Sequence, residues 1–218
     1  MPQVFGPRAN GLLLFILVGL VFAGGVAAVV GIVVLRSDWN RATFFAVAQP
    51  VPFSHAHHVG ELGLDCRYCH TGVETSASAG LPATEVCMTC HSQLFTDQKM
   101  LEPVRESFAS GIPIVWNRVN DVPDYVYFNH AVHVNHGVPC EACHGRVDEM
   151  PLTWRQKPLT MEWCLSCHRD PAPNLRPLNA VFAMNWSPKG DPRQQGEALI
   201  NLMHIDPKNL TDCYVCHR

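Results

Sequence analysis

The 218-residue chain has no basic run and no nucleic-acid-binding motif; 16 Lys and Arg stand against 19 Asp and Glu, a formal net charge of −3. It therefore lacks the means to build a polyanion-binding face. Long periodic stretches are also few, because 17 prolines and 15 glycines punctuate the sequence. A chain so often interrupted cannot easily assemble an ordinary core from its own side chains. Cysteine is missing in one specific sense: none of the ten lies outside a Cys-x-x-Cys-His motif.

There are five such motifs, here numbered sites 1 to 5 in chain order: Cys66–Cys69–His70, Cys87–Cys90–His91, Cys140–Cys143–His144, Cys164–Cys167–His168 and Cys213–Cys216–His217. This is the spacing that attaches a c-type haem, with two thioethers to the macrocycle and a histidine carried beneath the iron. Cys-x-x-Cys also serves zinc sites and redox dithiols. The 17 residues between Cys69 and Cys87 and the 20 between Cys143 and Cys164 do fit zinc ribbons. A fifth pair without a partner pair, and a histidine after every second cysteine, do not. A disulfide framework explains the even cysteine count but not the histidines. The expectation is five covalent haems c, held by the ten cysteines, with His70, His91, His144, His168 and His217 as iron ligands. The predicted fold is one amino-terminal transmembrane helix followed by short α-helices and loops packed around the haems, with little or no sheet.

The anchor is residues 11–35, an uncharged run rich in Leu, Val, Ile and Phe. As a helix it extends roughly 37 Å, enough to cross a bilayer with some tilt. It exceeds the apolar length of a cleavable signal, so a retained anchor is expected. Arg8 before it and Arg36 and Arg41 after it leave its orientation undecided by charge. Covalent haem attachment takes place outside the cytoplasm, which the motifs imply, so residues 1–10 are predicted to be a cytoplasmic tail and the haem domain to face the periplasm. Ala23, Ala27 and Gly31, with Gly24 and Ala28 beside them, form a small-residue stripe suited to packing against other membrane helices. A linker is assigned to residues 36–52 and the haem domain to 53–218.

First cysteines of successive motifs are 21, 53, 24 and 49 residues apart, a short–long–short–long rhythm. It divides the domain into modules 53–127 and 128–185 and a terminal segment 186–218. Phe53-Ser54-His55-Ala56-His57-His58 precedes Cys66, and Phe128-Asn129-His130-Ala131-Val132-His133 precedes Cys140; both read Phe-x-His-x-x-His. Gly63-Leu64 and Gly137-Val138 then lead into the cysteine pairs. Histidines three apart share one helical face, so His55, His58, His130 and His133 are the predicted distal iron ligands. His57 falls off that face, and His136 has no counterpart in the first module, where Glu61 stands nearby. His204, nine residues before Cys213, is the candidate for the fifth distal position. Methionines compete there; among Met88, Met100, Met150, Met161, Met184 and Met203, the alternatives singled out are Met161 and Met150, whose thioether would raise that haem's potential.

These features resemble a known family along essentially the whole chain. The stretches that carry the likeness are the anchor, Phe53-Ser54-His55…His58 with Cys-x-x-Cys-His-Thr-Gly-Val, Gly80-Leu-Pro-Ala-Thr-Glu-Val-Cys-Met-Thr-Cys-His, and Met161-Glu-Trp-Cys-Leu-Ser-Cys-His-Arg. They are similar to the pentahaem cytochrome c subunits of alternative complex III. One departure is His136, where a basic residue is expected in relatives. The resemblance implies a respiratory or photosynthetic quinol oxidoreductase in the inner membrane, with integral membrane quinol-oxidising subunits, an iron–sulfur subunit, and a monohaem cytochrome or soluble carrier as acceptor.

The leading expectation is thus an electron relay with no catalytic residues of its own. Spare histidines suffice to close every coordination sphere, and no Cys-x-x-Cys-Lys, the usual mark of multihaem nitrite reductases, occurs. The alternative is a membrane-anchored multihaem quinol dehydrogenase that oxidises quinol itself, for which Asp38 or Glu61 would be the acid–base group.

Overall fold

The computed structural model describes residues 6–217, in two compact units divided between residues 43 and 44. The division falls inside the predicted linker 36–52. Of the predicted tail 1–10, residues 1–5 lie outside the described region.

The first unit is dominated by helix α1, Pro7–Arg36, 30 residues long. Proline in its first turn lacks an N–H that the helix would leave unpaired anyway, so the helix starts four residues before the apolar run. Ser37 ends it by leaving helical geometry and donating its hydroxyl to the Val34 carbonyl at 2.6 Å. The helix is long and apolar enough to cross a membrane, and its large side chains, Leu12 to Leu35, are exposed all round. An aqueous surface of that composition is untenable, whereas lipid suits it.

The second unit contains eight short α-helices among the described residues and no strand; an isolated β-bridge pairs Ala46 with Trp154. The helices are α2 (Cys66–Cys69), α3 (Thr84–His91), α4 (Glu102–Ser110), α5 (His130–Asn135), α6 (Cys140–His144), α7 (Met161–Arg169), α8 (Pro192–Leu202) and α9 (Cys213–Cys216). Local chemistry sets their ends. Asp65, Asn129, Thr160 and Asp191 cap α2, α5, α7 and α8 by accepting from backbone N–H groups one turn on. Gly111 stops α4 in left-handed geometry at φ 70°. Five of the eight, α2, α3, α6, α7 and α9, carry the motifs.

The apolar core of this unit is small. Among the described residues, ten apolar side chains are buried, and the one cluster they form is Val73, Val134 and Val181, with Ala79 and Phe182 against it. That cluster joins the loop after site 1 to α5 and to the segment after α7. Polar ties add to it. Arg176 donates to Glu141 at 2.8 Å and stacks over Trp186, while Arg67 bridges Asp65 and lies over Phe182. A second packing centre is the crossing of α8 with the turn at 172–174, where Gly196 is buried against the Ala172 carbonyl. A Cβ there would collide with backbone that cannot rotate away. Gly196→Ala is therefore expected to cost about 1–3 kcal/mol, as overpacking does, and to lower the thermal midpoint of the haem-loaded protein by several degrees; an unchanged midpoint contradicts this packing.

Candidate haem-binding sites

Each motif occupies one helical turn, which brings its first cysteine and its histidine, four residues apart, to the same side. The turn is closed in site 1 by the His70 N–H donating to the Cys66 carbonyl (2.8 Å) and in site 5 by the His217 N–H donating to the Cys213 carbonyl (2.9 Å).

Four motif histidines face four histidines from outside the motifs. Ring centroids are 6.4 Å apart for His55 and His70, 6.2 Å for His58 and His91, 6.3 Å for His130 and His144, and 6.0 Å for His133 and His168. Two imidazoles on opposite sides of one metal ion, each bonded at about 2 Å, have centroids roughly 6 Å apart. One spacing recurs at four places that differ in sequence.

The other ring nitrogen explains how the imidazoles are aimed. The Nδ1–H groups of His70, His91, His168 and His217 donate to the carbonyls of Gly80, Leu94, Leu210 and Tyr125 at 2.7–3.2 Å. Those of His58, His130 and His133 donate to Ser54, Ala77 and Asn129 carbonyls at 2.8–2.9 Å. A carbonyl can only accept, so the proton sits on Nδ1 and the Nε2 lone pair is left for a metal. In the remaining pair of cases the partner is a side chain: His55 Nδ1 meets Thr153 Oγ1 at 2.9 Å, and His144 Nδ1 meets Asn120 Nδ2 at 3.1 Å.

The duplication is geometric as well as sequential. Phe53 stacks on His58 at 4.4 Å and meets His55 edge-on at 4.9 Å; Phe128 does the same to His133 at 4.5 Å and His130 at 4.8 Å. Leu64 and Val138 each donate their N–H back to the carbonyl of the second histidine, His58 or His133, at 3.0 Å. The residue before each, Gly63 or Gly137, has φ of 69° or 80°, a left-handed bend that suits glycine. The modules differ in one respect. The distal pair of the second module begins an α-helix, α5, as the three-residue spacing predicts. In the first module His55 caps, and His58 lies on, a single wider turn, residues Ala56–Glu61. Gly60 there is pressed onto the Asp148 carbonyl, and the loosened turn is what that approach requires.

Burial makes the pairs chemically suitable. It pushes His55 down to about 4, helped by the nearby His70 and His58, and it pushes His144 to about 4, helped by His130, His70 and His55. Burial also lowers His133. Neutral imidazole is the form that binds metal. The thiols are set apart from one another: burial and the neighbouring Cys167 and Cys164 push Cys143 up to about 12, while the hydrogen bond between Cys66 and Cys140 pushes Cys140 upward and Cys66 down to about 7.

The other candidates are placed as follows. His57 points outward and bonds Glu61 at 2.7 Å; His136 is exposed, with Nδ1–H on the Val132 carbonyl at 2.6 Å and no ring opposite among the described residues. Opposite His217 the described residues place no histidine; its ring neighbour is Tyr125, at 5.8 Å. His204 is exposed at φ 54° with no side-chain hydrogen bond among the described residues. Met161 is 65% exposed at the start of α7, and Met150 is enclosed, 1% exposed. A side chain enclosed by protein atoms has no face left for an iron. Sequence reading missed Asn120 and Thr153, whose single polar groups carry no motif signal and matter only because folding sets them behind His144 and His55.

These residues fit haem c. At four sites two imidazoles face each other beside a pair of cysteines, the donor set that a haem c would need. A further sign is Asn120: its Oδ1 is buried and unpartnered while its Nδ2 faces His144 Nδ1. With iron on His144 Nε2, Nδ1 carries a proton and needs an acceptor, which a 180° turn of the amide supplies.

No protein-family model matches the chain. It is 31% identical over 175 residues, covering 78% of this chain and 77% of the relative, to the multihaem cytochrome c subunit of menaquinone reductase from Nitratidesulfovibrio vulgaris (strain Hildenborough). The chain therefore belongs to the family of that subunit, as a membrane-anchored multihaem cytochrome c of electron transport.

Proposed function

We propose that this chain is the electron-relay subunit of a membrane quinone oxidoreductase, carrying five covalent haems c in a domain on the periplasmic side. The observation that carries the reading is the set of four facing histidine pairs at 6.0–6.4 Å. Two protein ligands on one iron leave no position for a substrate, so those sites suit transfer and not bond chemistry. When bound, haem c supplies a one-electron couple. The protein's part is to fix both imidazoles through their Nδ1 atoms and to hold the sites in a small domain. For site 5 the spacing to Cys213 favours His204, whose imidazole is exposed.

Quinol oxidation releases two electrons and two protons. In this reading it takes place in integral membrane partner subunits, with an iron–sulfur subunit alongside and a monohaem cytochrome or soluble carrier beyond. The pentahaem subunit of alternative complex III, suggested by the motifs, is the specific assignment. The relative's name, a menaquinone reductase subunit, favours a second reading of direction: the same relay run toward quinone.

The purified chain alone is expected to show no haem reduction by a quinol, whereas its native complex does. Quinol-dependent reduction of the isolated chain overturns the relay in favour of a quinol dehydrogenase.

Asn120→Leu removes the acceptor behind His144 and so weakens that imidazole as an electron donor to iron. A bond contributing about 1 kcal/mol corresponds to roughly 40 mV for one electron. One haem is expected to rise in potential by that order while the others stay in place. A redox titration in which no potential rises contradicts the role of Asn120.

A further inference from the structure

We infer that the five attachment sites stand in space in the order 2–1–3–4–5, so that the ends of the relay are sites 2 and 5, not sites 1 and 5. The inference rests on the haem reading above and adds a spatial order that the sequence does not contain.

Sites 1 and 2 are neighbours because one turn serves both: His55 faces His70 and His58 faces His91, and their motif helices touch where Tyr68 Oη meets Thr89 Oγ1 at 2.9 Å. Sites 3 and 4 are neighbours for the same reason, since α5 carries His130 against His144 and His133 against His168. The junction between the modules decides the rest. The loop that follows His70 is the seat of α5: His130 places both its N–H and its Nδ1–H on the Ala77 carbonyl. Ala131 N–H donates to the Ser76 carbonyl, and Asn135 Nδ2 to the Glu74 carbonyl at 2.9 Å. Val73 of the same loop packs with Val134 of α5. Among the described residues, no hydrogen bond or ring contact joins residues 84–95 of site 2 to α5 or α6. Site 3 therefore adjoins site 1. Site 5 adjoins site 4, because His168 Nδ1–H donates to the carbonyl of Leu210, three residues before Cys213, at 2.7 Å.

The two duplicated modules thus meet through the sites served by the first histidine of each Phe-x-His-x-x-His, His55 and His130. The sites served by the second histidine, His58 and His133, point away from the junction. Site 2 becomes a terminus although two motifs flank it in sequence. With haems held at these sites, an electron leaving one iron(II) would leave it as iron(III) and reduce a neighbouring iron(III) to iron(II), and no other group would change state.

The test uses the full-length, haem-loaded protein with His55→Met or His58→Met. A thioether ligand raises the potential of its own haem, so that haem can be reduced alone; low-spin iron(II) is diamagnetic, and every ferric neighbour loses its spin coupling to it. Electron paramagnetic resonance is expected to show two altered ferric signals for His55→Met and one for His58→Met. The opposite pattern, one and two, is the sequence order 1–2–3–4–5 and overturns the inference. Should neither variant show the thioether-to-iron absorption band, the ligand reading itself falls and the order with it. Iron positions located experimentally in the unsubstituted protein decide between the two orders without a variant: iron 1 nearer than iron 2 to iron 3 is expected, and the reverse overturns the order.

Discussion

The position of one proton governs this domain. An imidazole binds iron through Nε2 only if the hydrogen is kept on Nδ1 and the ring is prevented from turning. In seven of the nine aimed imidazoles a backbone carbonyl does this, at 2.7–3.2 Å. A backbone acceptor cannot rotate, lose its charge or be exchanged by mutation of its side chain. The loops between the motif helices, irregular as they are, are therefore under strict demand: each must bring one particular carbonyl behind one particular ring. Gly80, Leu94, Ala77, Leu210 and Tyr125 belong to such loops. The many prolines and glycines serve that purpose better than long helices would.

The same demand accounts for the weak core. The ten apolar side chains buried among the described residues are far fewer than a domain of this length needs if side chains alone are to offset its conformational entropy. Short motif helices of four or five residues are also below the length at which helices are stable by themselves. Both features suit a fold in which large apolar macrocycles, covalently joined to the cysteines, occupy the interior. Folding and cofactor attachment then become one problem, and the elevated pKa of Cys143 suits a thiol kept protonated until it is joined.

Much of this was legible in the sequence. The motifs, the apolar run of 11–35, the lack of strands among the described residues and the duplicated Phe-x-His-x-x-His follow from spacing and composition, and His57 lies off the shared face as a three-residue period requires. The wide turn at Ala56–Glu61 was not legible, because it answers to a contact between Gly60 and Asp148, 88 positions away. Asn120 and Thr153 were invisible for the same reason: each is an ordinary polar residue until tertiary structure sets it behind a ring. The spatial order of the sites also depends on long-range contacts, chiefly those of α5 with residues 73–77. At site 5 spacing suggested His204, while the folded chain places Tyr125 beside His217.

The central claim is that four irons each lie between two imidazoles. Near-infrared magnetic circular dichroism of the fully oxidised, full-length protein measures axial ligation directly. The bis-imidazole charge-transfer signature is predicted at an intensity corresponding to four haems of five, or five if His204 serves the last. An intensity corresponding to three or fewer, with high-spin or thioether-ligated iron making up the difference, would contradict it.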